Sequence, residues 1–166
     1  MNAQKISGSI NNAADLPRHR CFVKVLSERC RGCGLCELVC SICHEGEARP
    51  NISRINIKKD RDNYQFELSV CFQCKKPECV PACPTGAIIV EGKTGAKIVD
   101  EELCNNCGLC VEACLFNADK HMIFPHPSKA LHVKCDLCFF RAGGPACVEI
   151  CPTRALVLKE IKGGMK

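Results

Sequence analysis

Residues 30–40 read CRGCGLCELVC, and residues 104–114 read CNNCGLCVEAC. Both space their cysteines C-x2-C-x2-C-x3-C: Cys30, Cys33, Cys36 and Cys40, then Cys104, Cys107, Cys110 and Cys114. Between and after them lie two groups of another kind. Cys71, Cys74, Cys79 and Cys83 are spaced C-x2-C-x4-C-x3-C, and Cys135, Cys138, Cys147 and Cys151 are spaced C-x2-C-x8-C-x3-C. Pro84 and Pro152 follow the last cysteine of these two groups. PECVPACPTGA at 77–87 parallels PACVEICPTRA at 145–155, so the chain reads as a duplicated two-motif unit.

Eighteen of 166 residues are cysteine, which points to disulfides or metal. There is no Trp, one Tyr and seven Phe, so the ordinary apolar core is thin for this length. Residues 1–20 contain no apolar stretch of the kind a secretory signal needs. A reducing, cytoplasmic setting is therefore expected, in which clustered cysteines bind metal rather than pair as disulfides. No apolar run approaches the roughly 20 residues of a membrane span.

The triplet spacing wraps a short loop around one face of an iron–sulfur cubane. The fourth cysteine, one helical turn further on, points to the other cluster of a pair. A structural zinc site uses two separated C-x2-C pairs or completes its set with histidine; a C-x2-C-x2-C triplet is not a zinc knuckle, and no group here has histidine at ligand spacing. Four clusters would each add a charge of about −2, turning the formal +5 into about −3. The basic excess then reads as internal counter-charge, not as a nucleic-acid-binding surface, for which stacking aromatics are also scarce. No nucleophile–base pair, phosphate loop or dinucleotide fingerprint is present.

The fold class expected is α+β: two fused two-cluster ferredoxin-like modules of short hairpins and loops, stabilised by their clusters. Ile55 and Ile57, then Phe66, Leu68 and Val70, flank the polar turn 59–63 and predict a hairpin over 52–70. Ile88 to Val90 and Lys97 to Val99 flank the glycines at 92 and 95 and predict a second. Phe22 to Leu26 and Leu156 to Leu158 read as strands. Leu35 to Cys43 and Leu109 to Phe116 read as short helices carrying a fourth cysteine. Residues 1–20 read as a flexible tail before a four-cluster domain at 21–166.

Over about residues 21–160 the chain resembles the four-cluster, polyferredoxin-type electron-transfer subunits of molybdenum and tungsten oxidoreductases, carbon-monoxide dehydrogenase and hydrogenase complexes. The resemblance is carried by the four cysteine groups, CELVCSICHEGEARPNISRI at 36–55, VKCDLC at 133–138 and GGPACVEICPTRAL at 143–156. His44 to Glu47 with Ser53 to Ile55 is most similar to the small subunits of tungsten aldehyde oxidoreductases and tungsten benzoyl-CoA reductases. Ser41 and Leu115 stand where the other two groups have proline, so the turns after Cys40 and Cys114 would differ.

The resemblance implies four [4Fe–4S] clusters and a ligand pairing. Group one pairs with group four: Cys30, Cys33, Cys36 with Cys151, and Cys135, Cys138, Cys147 with Cys40. Group two pairs with group three: Cys71, Cys74, Cys79 with Cys114, and Cys104, Cys107, Cys110 with Cys83. The modules would then be 30–40 with 135–151, and 71–83 with 104–114. The spacing by itself equally permits pairing one with two and three with four. The resemblance also implies a hetero-oligomer with a large pterin-dependent tungsten or molybdenum subunit, and a flavin-containing or ferredoxin-type redox partner. The chain would relay single electrons and do no substrate chemistry. A free, diffusible polyferredoxin and a zinc-dependent structural or nucleic-acid module are the competing readings.

Some residues stay outside the four groups. Cys21 reads as core and Cys43 as a buried free thiol. His44 reads either as a hydrogen-bond partner of a thiolate or as a capping or surface histidine. His19, His121, His126 and His132 share no spacing and receive no role. Arg31, Lys75 and Lys76 lie inside ligand loops, where they either raise cluster potentials or are simply solvated.

Overall fold

The computed structural model describes residues 20–161. Eight strands make four two-stranded antiparallel sheets. Three are local hairpins: β2 (Ile55–Asp60) with β3 (Gln65–Val70), β4 (Ile88–Val90) with β5 (Lys97–Val99), and β6 (Ile123–Pro125) with β7 (His132–Lys134). The fourth joins the two ends, β1 (Arg20–Val25) against β8 (Leu156–Ile161), with Val23 opposite Leu158. The described residues also form four α-helices: α1 (Leu35–Glu45), α2 (Leu109–Glu112), α3 (Asn117–Lys120) and α4 (Ala146–Ile150).

The expected first hairpin pairs Ile55 with Val70 and Ile57 with Leu68. Its base is buried and its far end is exposed, as the run of charges toward the turn requires. The second hairpin has the expected strands, and its turn is held by Glu91, whose carboxylate accepts hydrogen bonds from Lys93 N, Thr94 N and Thr94 Oγ1. The β6–β7 hairpin and α4 have no counterpart in the sequence reading. α1 runs two residues beyond its expected end. The expected helix Leu109 to Phe116 is interrupted after Glu112, and α3 follows it. The expected tail lies outside the described residues except for Arg20, which opens β1.

The repeats share a backbone device. In each C-x2-C turn the residue before the second cysteine is left-handed: Gly32 (φ 65°), Gln73 (49°), Asn106 (58°) and Leu137 (60°). Glycine and asparagine take this region readily, whereas glutamine and leucine are strained there. At Gly32 a Cβ would also run into the Phe66 ring, so this turn favours glycine for space as well.

Two apolar clusters fill the interior. One gathers Val23, Ile55, Leu68, Val70, Ile98 and Leu156 with Cys30, Cys36, Cys40, Cys71, Cys135 and Cys147. The other gathers Val80, Ile88, Val90, Met122 and Ile123 with Cys110, against which Cys79, Cys83 and Cys114 pack. Cysteine is thus a structural part of both.

Candidate iron–sulfur centres

The C-x3-C spacing hands each fourth cysteine to another part of the chain. α1 carries Cys36 and Cys40 and packs on α4, which carries Cys147 and leads to Cys151. One cavity is lined by Cys135, Cys138, Cys147 and Cys40. A second is lined by Cys71, Cys74, Cys79 and Cys114, and a third by Cys104, Cys107, Cys110 and Cys83. In the first loop, Cys30 and Cys33 are electrostatic neighbours of Cys36. The segment after Cys151 is tied to the strand that leads into that loop: Leu26 N donates to Ala155 O at 2.8 Å, and Ala155 N donates to Cys151 Sγ at 3.2 Å.

The donor chemistry of these sets suits an iron–sulfur cluster. Burial pushes the Cys36 and Cys138 thiols up to about 12 and those of Cys79 and Cys110 to about 11; nearby thiols add to the shift in all four, as does Glu37 at Cys36. Such groups become thiolates only when a metal displaces the proton. Three of the fourth-position cysteines behave oppositely. Burial would raise Cys40, Cys83 and Cys151, but hydrogen bonds outweigh it and each is lowered. Those bonds come from His44, Thr85 and Thr153 and from backbone N–H groups, including Arg54 N to Cys40 Sγ at 3.3 Å.

A polar network supports the Cys40 site. Asp136 Oδ1 accepts from His44 Nε2 at 2.9 Å and from Cys138 N at 2.9 Å; Oδ2 accepts from Arg54 Nη1 at 2.9 Å. Both His44 and Asp136 side chains are buried. Burial alone would neutralise the pair. Asp136 nevertheless draws the His44 pKa up to about 9, and His44 and Arg54 hold Asp136 down to about 2. His44 is therefore no surface histidine: its Nδ1 lies 2.7 Å from the Cys40 carbonyl oxygen and 3.7 Å from Cys40 Sγ.

The network yields a prediction. Asp136→Asn leaves the Arg54 and His44 cations without their buried counter-charge, at a cost of about 3 kcal/mol. In thermal unfolding of the iron-loaded chain, that is a midpoint roughly 10 °C lower. The His44 contribution is complete below about pH 6.5 and is lost as pH rises through its elevated folded value. The Asp136 contribution is complete above about pH 4 and is lost as pH falls toward its depressed value. The gap between wild type and variant should thus be widest between those limits. A flat gap would show that the ion pair is not the cause.

Several sequence readings change here. Cys43 is half-buried, not buried, and is an electrostatic neighbour of Cys138 and Arg141. Cys21 is buried inside β1 as expected. His126 and His132 are buried although their spacing suggested nothing; His132 lines the Cys83 cavity. Lys75 and Lys76 are exposed. The buried cations are instead Lys97 and Lys134, at 3% and 1% exposure, which sequence reasoning missed. The available signal was the lysine directly before Cys135 in VKCDLC.

Thiol sets of this chemistry, on short loops and with no membrane-spanning helix among the described residues, define an iron–sulfur electron carrier. The chain belongs to the 4Fe–4S dicluster domain family, whose model matches residues 62–161; a 4Fe–4S binding domain matches residues 27–46. It is 41% identical to the polyferredoxin-like subunit of the aliphatic sulfonate oxidoreductase of Pyrococcus furiosus, over 81% of this chain and 73% of that one. It is 35% identical to the putative electron transport protein YsaA of Escherichia coli K12, over 85% and 90%. It is 32% identical to the electron transport protein HydN of the same organism, over 82% and 86%. The fold is similar to a chain of the active site complex BamBC of benzoyl coenzyme A reductase, with TM-score 0.52 and 24% identity over 86% of this chain and 80% of that chain. The chain thus binds 4Fe–4S clusters and transfers electrons.

Proposed function

We propose that the chain carries four [4Fe–4S] clusters and serves as the electron-transfer subunit of a cytoplasmic hetero-oligomer. Its catalytic partner is a large tungsten- or molybdenum-pterin oxidoreductase subunit, and a flavin-containing or ferredoxin-type protein stands at the other end. The ligand sets are Cys30, Cys33, Cys36, Cys151; Cys135, Cys138, Cys147, Cys40; Cys71, Cys74, Cys79, Cys114; and Cys104, Cys107, Cys110, Cys83. They form two modules, 30–40 with 135–151 and 71–83 with 104–114.

The observation that carries this reading is the mixed origin of the cavity linings, each combining three cysteines of one group with one of another. Two more support it. Cys71 is an electrostatic neighbour of Cys135, as a line of sets in which the two modules meet at those loops requires. Cys33 and Cys107, one in each terminal set, are exposed, so electrons have a way in and out. Leu103 and Leu109, which flank the loop that carries Cys107, are more than a third exposed, and so is Phe116, while Leu115 is 82% exposed; these last two line the Cys114 cavity. Apolar side chains in that position suit a lasting protein contact better than a diffusing carrier.

Iron and sulfide analysis of the anaerobically isolated protein, followed by native mass spectrometry, tests the reading. About sixteen irons per chain are expected, together with a large pterin-containing companion. Stoichiometric zinc, or clearly fewer than four clusters, overturns the cofactor assignment. Isolation without a companion favours the diffusible carrier.

A further inference from the structure

The four cysteine sets face different charges. Lys134 Nζ donates to the carbonyls of Lys97 and Cys135 and lines the cavity of Cys71, Cys74, Cys79 and Cys114. Lys97 lines the same cavity, with Nζ donating to Gly95 O at 2.9 Å. The other charged residues there, Lys76 and Glu78, are exposed and screened by water.

The other sets face less buried positive charge. At the Cys40 site, His44 and Arg54 share the buried carboxylate of Asp136, and Arg54 also meets Glu45 at 3.8 Å. At the Cys83 site, the lining residue besides the thiols that titrates is His132, which burial keeps neutral. Beside Cys36 stands the carboxylate of Glu37. A buried ammonium is costly unless an anion faces it. For Lys134 that anion is the thiolate-bound cluster, of charge about −2, and Lys97 adds a second buried cation to the lining of the same cavity.

We propose that Lys97 and Lys134 make the cluster held by Cys71, Cys74, Cys79 and Cys114 the most easily reduced of the four. This rests on the ligand sets of the proposed function. Reduction adds one electron and moves no proton, so the set goes from about −2 to about −3. Two buried ammonium groups stabilise that added charge in a medium where screening is weak. The electron of a partly reduced chain therefore resides at this inner position, away from the exposed Cys33 and Cys107 ends.

The test is a stepwise titration of the full chain with dithionite, a one-electron reductant, followed by electron paramagnetic resonance. The first signal to appear in wild type should be lost or altered in Cys74→Ala. Lys134→Met and Lys97→Met should each make that same cluster harder to reduce, its equilibrium constant falling roughly tenfold or more. Lys134→Arg and the exposed control Lys75→Met should leave the order unchanged. If the first signal survives in Cys74→Ala, the inference is wrong. It is also wrong if the methionine variants shift no cluster or shift all four alike. Should Lys134→Met fail to load iron, Cys74→Ala and Lys97→Met decide the matter. A wild-type chain with fewer than four reducible clusters instead counts against the proposed function.

Discussion

Removing the iron by chelation and oxidation is expected to abolish most of the far-ultraviolet circular dichroism and the protease resistance of the chain. Every sheet has only two strands, and an isolated two-stranded hairpin is marginal in water. Seven of the buried residues in the first apolar cluster are cysteines: Cys21 of β1, Cys30, Cys71 and Cys135 of the connections that follow β1, β3 and β7, and Cys36, Cys40 and Cys147 of α1 and α4. Without metal these thiols are small and poorly cross-linked. Structural metal binding to thiolates supplies about 10–16 kcal/mol in small zinc domains, as much as a whole domain's net stability of about 5–15 kcal/mol. The pH dependence has a definite sign. Burial raises the folded-state values of Cys36, Cys79, Cys110 and Cys138, so above the ordinary thiol value of about 8.5 the unfolded chain ionises while the folded one resists. Any structure left in the iron-free chain should therefore fade further as pH rises through that value. Native dichroism and protease resistance after complete iron loss would show that side-chain packing alone holds the fold.

Replacing Cys107 by alanine in the assembled complex should nearly abolish electron passage to the natural acceptor. Cys107 is the exposed member of its set and its removal interrupts the line at one end. Turnover of the catalytic partner with a dye that accepts electrons directly from it should survive, since the thiolates of this chain meet no substrate. Alanine is preferable to serine, whose oxygen would keep a cluster of altered potential. The comparison counts where native mass spectrometry finds the complex intact. Full activity with the natural acceptor would place this cluster off the path. Loss of dye-linked turnover would mean that the chain contributes to the active site.

His44 illustrates how a single residue divides between levels of description. Its place one helical turn after Cys40 made a thiolate contact conceivable from sequence. The partner that decides its charge, Asp136, lies 92 residues away. Lys97 and Lys134 are similar: Lys134 directly precedes Cys135, but Lys75 directly follows Cys74 and is exposed, so adjacency to a ligand does not tell a buried lysine from a solvated one. Lys97 and Lys134 are buried because β5 and β7 come together beside the Cys71 loop, and the β6–β7 hairpin that brings Lys134 there has no strong alternating pattern to announce it.

What the sequence by itself determined is the local chemistry. Metal-ligand spacing is a property of a loop of three to five residues, and the hairpin of β4 and β5 is a property of adjacent apolar runs around a turn. Both are set by short-range geometry, so both were legible, as were the start of α1 after Gly34 and the hairpin of β2 and β3. The tertiary structure decided which distant segments share a cavity. The spacing permitted two pairings of the four groups. The packing of α1 on α4, and of β1 on β8, rests on contacts between chain ends more than a hundred residues apart. Such contacts depend on the summed burial of many side chains, which no single motif records. The charges facing each set of thiols follow from that packing, and with them the order in which the clusters accept electrons.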